Sequence, residues 1–142
     1  MIRLGDHWDR PDRGNAMVQV LFCGATRELE LSGTRPGLLA LGQLLRGQGG
    51  GCDLSDNRHP APYERALSRI AFRETPGRDT ASVVVEGQIL SIQGGREALD
   101  LLADNIEGFA RESDATHHLH VDYPTYDFIT PESDPMVLAF TR

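Results

Sequence analysis

Twice along the chain a strand of alternating polarity runs into a glycine and then into an amphipathic helix. No other feature restricts the fold as much. RELELSGTRPGLLALGQLL (27–45) aligns with QILSIQGGREALDLLADNI (88–106). Leu29 meets Leu90, Leu31 meets Ile92, Gly33 meets Gly94 and Arg35 meets Arg96. Leu38, Leu41 and Leu45 meet Leu99, Leu102 and Ile106. Apolar residues at every second position put one strand face towards a core, and spacing by three and four does the same for a helix. Any amphipathic strand–Gly–helix pair shares much of this pattern, so a ββα duplication and a coincidence stay equally open.

Further strands are read at 17–23, 66–73, 81–86, 117–123 and 136–140, with helices from Pro36 to Arg46 and from Arg96 to Glu112. Short links such as Gly87 join neighbouring strands as hairpins. These elements predict an α+β fold: a mostly antiparallel sheet of about six to seven strands, with two main helices packed on one face. Leu99, Leu102, Ile106, Leu119, Val121, Val137 and Leu138 are its expected core. Residues 1–16 read as an extension able to dock through Trp8, and 17–142 as one domain. The Gly- and Pro-rich stretch 47–62 reads as a mobile loop.

The formal charge is −7, and every cationic side chain is arginine, since the sequence contains no lysine. That balance argues against nucleic-acid binding through a basic patch and favours a basic partner. The all-arginine, Gly- and Ala-rich composition fits a high-GC bacterial coding bias. Cys23 lies in an apolar run and reads as a small buried hydrophobe, Cys52 follows a glycine run, and the two form no CxxC. No apolar stretch has the length of a signal h-region or a membrane span, so the expected location is the cytoplasm, with no membrane partner.

The segment HHLHVDY (117–123) carries the most chemistry. Read as a strand, it sets His118, His120 and Asp122 on one face, with Leu119, Val121 and Tyr123 on the other. Two imidazoles and a carboxylate in a row permit three roles: a metal or small-molecule-binding enzyme site, a merely solvated face, or a contact with a partner. The row resembles the metallo-β-lactamase signature HxHxDH only superficially, because Tyr123 replaces the last ligand. No metal and no cofactor are therefore expected. Nucleophilic catalysis lacks a GxSxG, and Gly49-Gly50-Gly51 lacks the Lys of a phosphate loop. The loop 123–135 mixes Tyr123, Tyr126 and Phe128 with Asp127, Glu132 and Asp134. Its aromatics either anchor a partner or tuck under the sheet edge.

The order of features over about residues 82–140 resembles one of the immunity-protein families of bacterial polymorphic toxin systems. The features are a strand ending in Gly94, the helix REALDLLADNIEGFA, the His-rich strand HHLHVDY and then PESDPMVLAF. The resemblance implies a compact cytosolic α+β domain that blocks a cognate toxin by binding it, without catalysis. Combined with the charge, it implies a basic toxin domain, such as a nuclease, as the partner. The expected contact residues are His118, His120, Asp122, Tyr126, Asp127, Glu132 and Asp134. The competing expectation is an enzyme using the His118, His120 and Asp122 row.

Overall fold

The computed structural model describes residues 18–57 and 59–141, so the N-terminal extension and Trp8 lie outside the described residues. Alternation in VQVLF and LELSG builds the first hairpin. β1 (Val18–Phe22) and β2 (Leu29–Gly33) pair antiparallel, with Val20 opposite Leu31. Thr34 ends the strand and caps α1 (Arg35–Leu45): its hydroxyl accepts the Gly37 amide at 3.0 Å, and Pro36 occupies the first turn. β3 (Gly49–Asp53), the two-residue β4 (Arg65–Ala66) and β5 (Arg69–Glu74) follow. The second half repeats the ββα start and then adds two strands. β6 (Ala81–Glu86), β7 (Ile89–Gly94) and α2 (Arg96–Glu112) lead to β8 (Leu119–Val121) and β9 (Met136–Phe140).

The α+β class is as the sequence implies, but the nine described strands form two mixed sheets rather than one of six to seven strands. Their orders are β4-β1-β2-β9-β8 and β3-β5-β7-β6. Two pairs, β2 with β9 and β5 with β7, are parallel. The halves exchange strands. The chain after α1 delivers β3 and β5 to the β6–β7 hairpin, and the chain after α2 delivers β8 and β9 to the β1–β2 hairpin. Local spacing reports each strand but not its partner, so these crossovers leave no periodic signal.

The repetition extends to the connections. The 54–67 connection runs along β1, where Ser55 N–H donates to Val18 O and Leu67 N–H to Val20 O, both at 2.9 Å. The 128–134 connection runs along β6, where Thr130 N–H donates to Ala81 O at 2.9 Å and Asp134 N–H to Val83 O at 2.8 Å. Each outer hairpin strand is thus covered by its own half's connection, which removes an open edge.

The helices pack on each other and cap each other. Arg35, at the start of α1, donates to the carbonyls of Ala110 and Ser113 at the end of α2. Arg96, at the start of α2, donates to Leu45 O at 2.6 Å and Gly47 O at 2.7 Å at the end of α1. These are the two arginines that the sequence repeat aligns. Where the helices approach, Glu107, a carboxylate on the flank of the core stripe, is only 4% exposed. It accepts from Arg46 at 2.9 Å and from Gln43 at 2.9 Å. The double contact to Glu107 and Asp104 pushes the Arg46 guanidinium pKa up. At the entry to α2, a Cβ on Gly95 would overlap the carbonyl of Arg78, so glycine is needed there for close approach.

One buried apolar cluster draws on both helices and both sheets. Leu99, Leu102, Ile106, Val121 and Leu138 are all in it, as expected. Leu119 is only partly buried and Val137 half-buried. Val137 neighbours Leu138 in the strand, so it faces the other way, opposite His120. Two further readings change. Residues 49–53, expected as loop, are the edge strand β3. Cys23 is half-exposed just past β1, because the strand ends at Phe22.

Candidate functional site

β8 starts at Leu119, so the expected row of His118, His120 and Asp122 is broken. His118 precedes the strand, His120 is exposed on it opposite Val137, and Asp122 follows it, half-buried. Among the described residues no group of three or more His, Cys, Asp or Glu is placed to hold a metal ion.

His118 and Tyr126 are brought together instead, on one side of a groove between β8 and the C-terminal half of α2. The helix contributes Asp104, Asn105, Gly108 and Glu112. The apolar lining comes from Phe109, Leu119 and the Tyr126 ring. Leu101, Asn105, Gly108 and Glu112 fall on one stripe of α2 at helical spacing, opposite the core stripe. That stripe was legible in the sequence. What gave no signal was β8 folding back beside it.

The approach to β8 is a tight polar turn. Asp114 accepts from the Thr116 amide at 2.9 Å and its hydroxyl at 2.7 Å, which holds its carboxyl below the usual range. His117 Nδ1 accepts from the Asp114 amide at 3.2 Å. Beyond β8, Tyr126 N–H donates to Asp122 O at 2.9 Å, and the Tyr126 and Phe128 rings meet edge to face at 5.9 Å. Asp127 and Glu132 are exposed on the same loop, while Ile129 is fully buried against the sheet edge.

Asp134 differs from the other expected contact residues: it is 6% exposed and engaged internally. Arg27 holds it bidentately, Nε at 3.0 Å from Oδ1 and Nη2 at 2.9 Å from Oδ2. The Val85 amide donates to it at 2.8 Å. It is therefore a structural anchor joining the first hairpin to β6, not an exposed contact. From Glu112 to Thr141 the sequence contains six acidic residues and neither lysine nor arginine. Of these, Glu112, Asp122, Asp127 and Glu132 make no ion pair among the described residues.

The two cysteines sit in different environments. Hydrogen bonds from Thr26 lower the Cys23 thiol pKa, whereas burial raises that of Cys52. Neither has a histidine partner among the described hydrogen bonds or ion pairs.

No described helix is long and apolar enough to cross a membrane. Comparisons with curated proteins and with solved structures return no match. The family model described as Immunity protein 32 matches residues 28–59 and 89–141, more than half of the chain. The first matched stretch spans β2, α1 and β3, and the second spans β7, α2, β8 and β9, so the match takes in both halves of the repeat. The chain belongs to the Immunity protein 32 family.

Proposed function

We propose that this protein binds and neutralises a cognate toxin of a bacterial polymorphic toxin system, in the cytoplasm and without catalysis. Membership of an immunity-protein family is the observation that carries this reading. The charge of −7 supports a basic toxin domain, such as a nuclease, through fast, electrostatically steered association. The contact surface of the proposal is β8 and the 122–133 loop, with His118, His120, Asp122, Tyr126, Asp127 and Glu132. A metal-dependent enzyme built on the His118, His120 and Asp122 row has no converging ligand set among the described residues to support it.

Co-expression with the toxin domain encoded beside it tests the reading. Cells producing that domain should survive only when this chain is present, and the two proteins should copurify. A neighbour that is not toxic, or is equally toxic with this chain present, sinks the proposal.

A further inference from the structure

We infer that the groove between β8 and the C-terminal half of α2 seats a lysine or arginine side chain of the toxin. This inference rests on the immunity reading and names the chemistry of one contact within it.

Three observations converge. The first is shape. Gly108 sits in the groove wall, and a Cβ added there would meet nothing within 4 Å. The groove is thus open where the helix has no side chain, and Phe109, Leu119 and Tyr126 give it apolar walls. A long cationic side chain suits such a slot, because its methylenes cover apolar surface while its head reaches polar groups. The Tyr126 ring adds a face for a cation.

The second is charge. Glu112 lines the groove, closes α2 and makes no ion pair among the described residues. A carboxylate at a helix C-terminus opposes the helix dipole, so this position costs the isolated fold stability and raises the local negative potential. Arg35 takes the carbonyls of Ala110 and Ser113 and leaves Glu112 unpaired. Asp104, on the same wall, is already held by Arg46 at 2.7 Å, so Glu112 is the carboxylate free to meet an incoming cation.

The third is the surrounding apolar surface. Ile89, Leu101 and Tyr123 are the large hydrophobic residues left exposed among the described residues. Leu101 continues the groove stripe of α2, and Tyr123 opens the loop that carries Tyr126. Exposed apolar groups on the helix stripe and loop that border a groove holding an uncompensated acid fit the anchor-and-rim pattern of protein interfaces.

The test measures binding of the full chain to the neighbouring toxin domain, at low and high salt. Gly108→Leu projects a side chain into the groove from a position whose Cβ meets nothing within 4 Å, and leucine is a good helix former. Glu112→Arg reverses its charge. Glu86→Arg, at the exposed end of β6, makes the same charge change elsewhere. We expect Gly108→Leu and Glu112→Arg to weaken binding by about tenfold or more, and Glu86→Arg by less than about twofold. Thermal unfolding reports that each variant is folded. If the wild type binds and Gly108→Leu binds equally well, the groove is not the seat, while the immunity reading stands. If Gly108→Leu weakens binding but Glu112→Arg does not, the occupant is not cationic and the inference fails. A wild type that neither binds nor protects removes both.

Discussion

Asp134 owes its position to Arg27, 107 positions earlier in the chain. Arg27 sits in the first hairpin turn with φ of 64°, a left-handed conformation uncommon for a side-chain-bearing residue. Its guanidinium meets Asp134, the Val85 carbonyl at 3.0 Å and the Phe22 ring at 5.0 Å, contacts that offset the backbone strain. The sequence ESDP shows a solvated loop acid and nothing of this pairing. Asp134→Asn should lower the unfolding free energy by about 1.5–3 kcal/mol, because a buried charge-assisted network loses its charge. Urea unfolding measures it. Toxin affinity of the folded variant should stay within about twofold of wild type, whereas Glu132→Arg, at an exposed neighbour, should slow association. A stability cost near zero would show that the Arg27 contact contributes little.

The helix pair contains two glycines with opposite roles. Gly42 lies where α1 crosses Glu107, and a Cβ there would come within 2.6 Å of Glu107 Oε2 and 2.9 Å of its Cδ. Gly108 faces open space. Gly42→Ala should therefore destabilise by about 1–3 kcal/mol, since displacing the buried Glu107 network outweighs the gain in helix propensity. Gly108→Ala should stabilise by about 0.5–1 kcal/mol, the ordinary propensity difference. Chemical denaturation of both variants decides it, and a stabilised Gly42→Ala would show that Glu107 moves aside freely. Both glycines look alike in the sequence, as interruptions of an apolar helical pattern.

At the scale of the molecule, a ββαβββ half and a ββαββ half exchange strands: β3 and β5 go to one sheet, β8 and β9 to the other, and only the short β4 stays on its own half's β1. β2 of one half is central to a sheet because β9 of the other lies beside it, and β7 needs β5 in the same way. The helix arginines cap across the same divide. Neither half holds a complete sheet, so neither should fold alone. The link between them passes through the turn at Gly77, which has φ of 85° and no atom near a would-be Cβ. Chains 1–76 and 77–142, co-expressed, should copurify and unfold in one cooperative transition. Each expressed alone should show none. A half that unfolds cooperatively by itself would contradict strand exchange as what binds the halves.

Alternation and helical spacing belong to single elements, so the sequence alone determined the elements that make up most of the fold. It determined both helices, the hairpins, the core stripe of α2 from Leu99 to Ile106, and the aligned repeat with Arg35 matched to Arg96. Its order of features over about residues 82–140 also resembled an immunity-protein family, and the match to the Immunity protein 32 model shows which family it is. Pairing between distant elements is set by packing and crossover, which no window of sequence records. Tertiary structure alone therefore decided that the strands form two sheets, that Gly49–Asp53 is an edge strand, and that Glu107 is buried. It also decided that Asp134 belongs to Arg27 and that His118 leaves the strand row to join Tyr126 and Glu112 around a groove.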